Sequence, residues 1–390
     1  MKVALSILAA VLISVGLFEL LFDKRVEVSD RNDHWTGKLS SPYAHGTEHT
    51  QKFEEYIVPL SRQDTQMRSV TYIYDQFGMR AKDKLVDYNF DTNLAIVGDS
   101  FTYGAEVNYC DSLQGLLEGE LPAINIFNFG KAGSSSAFFA ETIENYLKEI
   151  RRPISVLVIG VYTDMTIGDL PRILAVHEFG ERMYFNGVPV SPSLYKRLTQ
   201  SAVENLWFTL QTSARKYSST FNVLFPPGPA QDFAVDLREI LRRDMFPGMG
   251  DALMSNLKRA GTVADLTPDN VVVWLIPSSH VLTEMYAARS QNRQVQDFVA
   301  LTQEFWDFIS RRLMSAGYHV VDTRQKIYSL FLDKGVYPFT VSGHFRPVAY
   351  KETANEVSLA VGEMHGGMEG YLQRHSELKP CETVSTGHVF

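Results

Sequence analysis

Short apolar runs alternate with helical patterns through the middle of the chain. The runs cover residues 93–97, 124–129 and 154–159, and a glycine directly follows each of them. Between them, apolar positions recur at the spacing of a helix face over 111–121 and 136–151. Buried strands separated by amphipathic helices are typical of βαβ units. The pattern therefore predicts an α/β domain with a parallel sheet.

The same alternation returns towards the C-terminus. Apolar runs at 271–276 and 319–322 have the length and composition of two further strands. A long helical pattern over 295–316 lies between them, and a final helical pattern covers 349–361. We expect these elements to extend the same parallel sheet and its helical layers.

Residues 166–270 break the alternation. Met183–Val190 contains Asn186-Gly187, a strong signal for a tight hairpin turn. The proline- and glycine-rich stretch Pro226–Pro229 and two or three amphipathic helices complete the segment. Open α/β sheets bind ligands at the carboxyl ends of their strands. We therefore predict an insertion that covers this edge as a cap.

The N-terminal segment is almost continuously apolar from Val3 to Phe22. About 20 such residues at about 1.5 Å each just span a bilayer core of about 30 Å. Lys2 precedes the run and no A-x-A-like cleavage site follows it, which favours a retained signal anchor over a cleaved signal peptide. Lys24 and Arg25 leave the orientation by charge bias open. We expect the rest of the chain to lie outside, in an extracytoplasmic or periplasmic compartment.

These patterns divide the chain into four parts. Residues 1–25 form the predicted membrane anchor, and the polar residues 26–69 form a linker or wrapping segment. Residues 70–365 form the α/β domain with its insertion, and residues 366–390 form a polar C-terminal tail.

Composition and charge exclude several classes of function. The chain has 37 Lys and Arg against 45 Asp and Glu, and no basic run, so a nucleic-acid partner has no support. Its two cysteines, Cys110 and Cys381, are too few for a disulfide framework, and no C-x-x-C pair suggests zinc. A bridge between the two cysteines stays open. The sequence contains no P-loop, Rossmann glycine set or metal-binding cluster, so we expect no cofactor and no metal.

A candidate nucleophile follows the first predicted strand. The sequence GDSFTYG at 98–104 would place Ser100 at the exposed carboxyl edge of the sheet, where nearby amides can stabilise an oxyanion. A lone G-D-S is a weak signal, because it recurs in ordinary turns. Two further loops, NFGKAG at 128–133 and GVYTD at 160–164, follow the next two strands, and SGHFRP with His344 precedes the final helix. In this setting His344 is a candidate general base.

Together with YDQFGMR at 74–80, these four loops resemble the SGNH/GDSL hydrolase superfamily over about residues 70–365. The resemblance implies a flavodoxin-like three-layer fold and acyl-ester chemistry. It implies Ser100 as the nucleophile, with its own amide as one oxyanion donor. It further implies Gly133 as the donor of a second amide and His344 as the base.

Membrane-anchored members of this superfamily with an inserted segment include O-acetyltransferase-like proteins of exopolysaccharide modification. The resemblance therefore implies an esterase or O-acetyltransferase that acts on an acylated cell-envelope or secreted glycan, or on small acyl esters. It also implies attachment to the membrane through the N-terminal helix and a membrane-bound O-acyltransferase as a partner. The glycan and the acetyl group rest on the resemblance alone.

Two positions depart from the superfamily pattern. Thr163 stands where a side-chain asparagine donor is expected, and Ser342 or Val341 stands where the acid is expected. The Thr163 hydroxyl can donate to an oxyanion, although it is shorter than an asparagine amide. The Ser342 hydroxyl or a backbone carbonyl can accept from His344. Ser342 is therefore the candidate substitute for the acid.

The departures define an alternative function. Loss of one oxyanion donor typically lowers the rate by about 10²–10³, and loss of the acid lowers it by about 10⁴. Without replacements, the chain would be a catalytically degenerate glycan-binding or scaffold protein of an envelope polysaccharide complex. Asp333 and Asp164 are further candidates for the acid. Weaker candidates, for lining the substrate site, are Tyr103, Tyr162 and His280.

Overall fold

The structure is a computed structural model of the chain that describes residues 43–61, 63–163, 184–185, 188–189, 243 and 246–364. The chain divides into two units, one of residues 1–37 and 181–236 and one of residues 38–180 and 237–390. The predicted anchor and the polar tail lie outside the described residues. Among the helices that are described, none is long and apolar enough to cross a membrane.

The helices and strands are numbered in chain order. The strands are β1 (Glu48–Tyr56), β2 (Thr65–Tyr74), β3 (Arg80–Ala81), β4 (Asn93–Val97), β5 (Asn125–Asn128), β6 (Val156–Tyr162), β7 (Tyr184–Phe185), β8 (Val188–Pro189), β9 (Val271–Ile276) and β10 (His319–Asp322). The helices are α1 (Ser100–Tyr103), α2 (Leu113–Glu120), α3 (Ser136–Ile150), α4 (Phe246–Val263), α5 (Ser279–Ser290), α6 (Asp297–Ser315), α7 (Arg324–Leu332) and α8 (Pro347–Met364).

A five-stranded parallel sheet forms the centre of the larger unit, in the order β10-β9-β6-β4-β5. Every residue of β4, β5 and β9 is buried. These strands read as continuous apolar runs because helices cover both faces of a parallel sheet. The predicted α/β class and parallel sheet are confirmed.

Side chains of successive strand residues point to opposite faces, so the sheet divides the core into two layers. Ala95 and Leu157 face the layer that contains α3, α4 and α6. Leu94 and Val158 face the layer that contains α2, α7 and α8. The carboxyl ends of the strands remain as the edge at which the loops meet.

The predicted insertion ends earlier than residue 270. Helix α4 packs with α3 in the core, and Asn256 Nδ2 donates to Ser136 Oγ at 3.1 Å. In the smaller unit, β7 pairs with β8 antiparallel, as the hairpin signal at 183–190 predicts. The rest of the predicted cap lies outside the described residues.

Within the predicted linker or wrapping segment, residues 48–61 and 63–69 are part of an antiparallel hairpin rather than of an irregular linker. Strand β1 pairs with β2 from Glu48 opposite Ile73 to Tyr56 opposite Thr65, and β3 extends the sheet on the other side of β2. Polar residues dominate β1, which hides its alternation in the sequence. The inner side chains of β2 pack against Tyr103 and Ala105, so the hairpin supports the loop after Ser100.

Candidate active site

Ser100 is the first residue of the short helix α1, directly beyond β4. The Asp99 carboxylate caps this helix by accepting from the Phe101 amide at 2.9 Å. The amides in the first turn of a helix have no acceptor within the helix. The Ser100 amide also donates to no other group among the described residues. That amide is therefore available to an oxyanion, as the resemblance implies.

A tight loop presents His344 to Ser100. The Thr340 amide donates to the His344 carbonyl at 2.7 Å, and Phe339 and Phe345 form an antiparallel bridge around the loop. Gly343 has a backbone φ of 90°, a conformation that residues with a Cβ rarely adopt. The resulting turn brings His344 Nε2 to 2.9 Å from Ser100 Oγ.

Glu106 supplies the carboxylate that the sequence pattern lacks. Its Oε1 lies 3.1 Å from His344 Nδ1, on the opposite side of the imidazole from Ser100. The sequence pattern predicts the acid at Ser342 or Val341, with Asp164 and Asp333 as further candidates. Glu106 instead follows Ser100 by six positions on the nucleophile's own loop. The signal in the sequence is a glutamate two residues after GDSFTYG.

Ser342, the predicted substitute for the acid, lies between Glu106 and His344. Its Oγ lies 2.8 Å from His344 Nδ1 and donates to Glu106 Oε1 at 2.5 Å. Thr340 Oγ1 lies 3.2 Å from the same Ser342 hydroxyl. The Nδ1 side of the imidazole therefore faces two oxygens, Ser342 Oγ and Glu106 Oε1, which are hydrogen-bonded to each other.

Two carboxyl groups at the site have shifted pKa values in opposite directions. Burial acts to raise the pKa of Glu106, but the hydrogen bonds and charge of His344 and the hydroxyl of Ser342 outweigh it, and the pKa is lowered. Burial raises the pKa of Asp99 to about 6, against the lowering effect of the Phe101 amide. Glu106 is therefore ionised at neutral pH and can stabilise an imidazolium.

The Thr163 hydroxyl is not available as the side-chain oxyanion donor that is expected at this position. A hydroxyl has one proton to donate, and the Thr163 hydroxyl donates it to the Ile276 carbonyl at 2.7 Å. The Thr163 carbonyl in turn accepts from Trp306 Nε1 at 2.9 Å. Thr163 thus ties β6 to β9 and α6. Gly133 lies in the loop after β5 with a φ of 73°.

The weaker lining candidates lie in different surroundings. Tyr103 is buried, and its hydroxyl bonds to that of Tyr74 at 2.6 Å, which makes it a core residue. Tyr162 is half-buried and stacks on Phe101, whose ring lies 5.3 Å from that of His344. His280 is exposed in the first turn of α5.

No cluster in the described part of the chain is arranged to hold a metal ion. Cys110 is disulfide-bonded and lies on the 3₁₀ helix Tyr109–Asp111, close to Glu106 in sequence. Cys381 lies outside the described residues.

No protein-family model and no curated protein matches this chain. Among solved structures, it is similar to a lipolytic protein of the G-D-S-L family from Veillonella parvula, with 12% identity, coverage of 68% of this chain and 96% of that chain, and a TM-score of 0.39. The α/β hydrolase LAE5 from the metagenome of Lake Arreo matches with 12% identity, 70% and 97% coverage and a TM-score of 0.35. The salicylyl-acyltransferase SsfX3 from a tetracycline biosynthetic pathway matches with 12% identity, 75% and 60% coverage and a TM-score of 0.31. Likeness at this level identifies no activity for this chain.

Proposed function

We propose that this protein is a serine-dependent acyl-ester enzyme of the SGNH/GDSL type, with Ser100 as nucleophile, His344 as base and Glu106 as acid. One observation carries the proposal. Hydrogen bonds of 2.9 and 3.1 Å link Ser100 Oγ through the two imidazole nitrogens to Glu106 Oε1. This order of hydroxyl, imidazole and carboxylate is the one that activates a serine for attack on a carbonyl.

The geometry suits a two-step acyl transfer. Ser100 Oγ attacks the ester carbonyl while His344 Nε2 takes the hydroxyl proton, and the imidazolium then gives that proton to the leaving alkoxide. The acyl group is left on Ser100. Glu106 keeps the Nδ1 proton in place, so that Nε2 presents its lone pair to Ser100, and its charge stabilises the imidazolium.

Water or a sugar hydroxyl then attacks the acyl-enzyme, with His344 again as the base. Attack by water gives hydrolysis, and attack by a sugar hydroxyl gives transfer. We propose a small acyl group, acetyl, and an envelope or secreted glycan as the substrate. The motif resemblance alone supports both. The apolar N-terminal run supports a membrane anchor, which would hold the domain outside the membrane beside a membrane-bound O-acyltransferase.

Covalent labelling tests the enzyme proposal. The full-length protein is treated with a serine-directed fluorophosphonate, and hydrolysis of an aryl acetate is followed in parallel. We expect the label on Ser100 by peptide mass spectrometry, and loss of both label and turnover in Ser100→Ala. Ser329→Ala, at a half-buried serine of α7 whose hydroxyl donates to the Lys326 carbonyl, should leave both unchanged. A folded wild-type protein that neither labels nor turns over would refute the proposal.

One observation favours a second candidate, a glycan-binding or scaffold protein with little turnover. Because Thr163 donates to a backbone carbonyl, the described site has no side-chain donor at the asparagine position. Such a loss typically lowers the rate by about 10²–10³. Calorimetry with an acetylated oligosaccharide separates the candidates: binding to a wild-type protein that does not label supports the binding function.

A further inference from the structure

One buried arginine, Arg80, spans the loop that carries Glu106. Its Nη1 donates to the carbonyl of Tyr103 at 2.9 Å and to that of Gly104, and its Nη2 donates to the carbonyl of Val107. The guanidinium therefore binds backbone carbonyls on both sides of Glu106. We propose that Arg80 is the positioning residue for Glu106, an inference that rests on the proposed catalytic role of that glutamate.

The Glu106 backbone needs such support. Its φ of 63° lies in the left-handed region, which residues with a Cβ seldom adopt outside turns. A conformation of this kind persists only where the surroundings over-determine it. The Glu106 amide donates to the Tyr72 hydroxyl at 2.8 Å. Arg80 and Tyr72 thus bind the loop before, at and after Glu106, and the carboxylate is left to face the imidazole.

Arg80 forms no ion pair in the described part of the chain. The residue is only 2% exposed, and no carboxylate there lies within ion-pair distance of it. Its guanidinium lies over the rings of Tyr72 and Tyr103, at 4.7 and 5.4 Å from their centroids. A planar fork with several fixed donors can reach carbonyls on both sides of a residue, whereas a lysine ammonium acts as a point charge.

Arg80 is the last residue of the YDQFGMR segment, and the three-stranded antiparallel sheet of β1, β2 and β3 places it beside the site. It lies on β3 opposite Tyr74 of β2, and Tyr72 lies two positions earlier on the same strand. The sheet that looked like a linker in the sequence therefore supplies both groups that fix the acid's loop. Arg80 thus gives a role to the YDQFGMR segment, which contains neither the nucleophile, the base nor the acid.

The position of the His344 proton tests the proposal without any need for turnover. In histidine-labelled full-length protein, ¹⁵N chemical shifts show which ring nitrogen carries the proton in the neutral form. We expect Nδ1–H in the wild type. Arg80→Lys should shift the proton towards Nε2, and Tyr72→Phe, which keeps the ring beneath the guanidinium, should do so less. Fluorophosphonate labelling should slow by about 10²-fold in Arg80→Lys, the effect of roughly 1 Å of misplacement.

Combination with Glu106→Gln separates positioning from a general loss of structure. If Arg80 acts through Glu106, adding Arg80→Lys or Tyr72→Phe to Glu106→Gln changes neither the tautomer nor the labelling rate further. Arg324→Lys is the matched control, because Arg324 is equally buried but pairs with Asp322 and Asp307. It should lower the melting temperature and leave the His344 tautomer unchanged.

Several outcomes decide the question. A folded Arg80→Lys protein that keeps the Nδ1 proton, or effects that add fully to those of Glu106→Gln, would overturn the inference. If Arg80→Lys does not fold, the same criteria apply to Tyr72→Phe. If the wild type fails to label while the tautomer still depends on Arg80 through Glu106, the positioning stands and the enzyme proposal fails.

Discussion

A buried carboxylate beside an imidazole distinguishes an activated serine from an ordinary one, and at the scale of single residues that carboxylate is Glu106. Only 6% of the residue is exposed, yet its pKa is lowered, because bonds from His344 and Ser342 outweigh the effect of burial. The motif predicted Ser100 and His344 as partners but not the acid, which stands 238 positions before the histidine. A pattern read around the histidine cannot find it.

Replacement of Glu106 by glutamine should slow fluorophosphonate labelling of Ser100 by about 10⁴-fold. The neutral amide cannot stabilise the imidazolium and can hold the wrong tautomer, as the equivalent change does in serine proteases. Ser342→Ala should slow it by only about tenfold, the effect of one hydrogen bond of about 1.4 kcal/mol.

Glu118→Gln is the matched control for this prediction. Glu118 is a half-buried carboxylate of α2 that accepts from Tyr109 and Gln114 rather than from His344. Its substitution should leave the labelling rate unchanged. Equal rates for Glu106→Gln and the wild type would exclude Glu106 as the acid.

At the scale of elements, a glycine directly after β4 and a glycine within β6 let α1 pack against the sheet. A Cβ added at Gly98 or Gly160 would lie 2.1 or 2.3 Å from Thr102 Oγ1. The bounds of β4 and β9 follow the predicted apolar runs, because these fully buried strands are almost continuously apolar. Strand β10 also follows its predicted run, although only Val321 of it is buried. The β1–β2 hairpin did not emerge from the sequence, since only one of its faces packs on apolar neighbours.

Gly160→Ala should lower the free energy of unfolding by about 1–3 kcal/mol, because the new methyl group overpacks the contact with Thr102. Thr102→Ala removes the nearest atom, so the double variant should be less destabilised than the sum of the two single variants. Urea denaturation of the wild type, the two single variants and the double variant measures these free energies of unfolding. Strict additivity would show that the two side chains do not compete for the same space.

At the scale of the whole molecule, the described residues before the hairpin meet the sheet domain at Lys131. This lysine is 6% exposed, and its ammonium lies 4.4 Å above the ring of Tyr43. No carboxylate of the described residues lies within ion-pair distance of it, and burial lowers its pKa to about 8. The folded protein thus holds a positive charge in surroundings that solvate it poorly.

Lys131→Met should raise the free energy of unfolding at pH 7 by about 2 kcal/mol. At about 1.4 kcal/mol per pKa unit, the lowered pKa corresponds to a burial cost of roughly 3 kcal/mol, which the contact with Tyr43 partly offsets. Between the folded pKa of about 8 and the ordinary 10.5, the unfolded chain binds more protons. Wild-type stability therefore gains as pH rises through this window, and the advantage of Lys131→Met should shrink.

Lys148→Met is the control for the pH dependence. Lys148 has a 63% exposed side chain and forms an i,i+4 pair with Glu144 on α3. Its substitution should change the free energy of unfolding by less than about 0.5 kcal/mol. An advantage of Lys131→Met that stays constant from pH 7 to pH 10 would contradict a buried ammonium.

By itself, the sequence determined the α/β class, the parallel strands and the pairing of Ser100 with His344. Apolar periodicity encodes the first two features locally, and the pairing follows from the order of the loop motifs together with the family resemblance. Only the tertiary structure decided that Glu106 is the carboxylate beside the imidazole and that Thr163 donates to a strand carbonyl. It also decided that the supposed linker is the hairpin behind Arg80. These features depend on contacts between distant segments, whose partners no local pattern specifies.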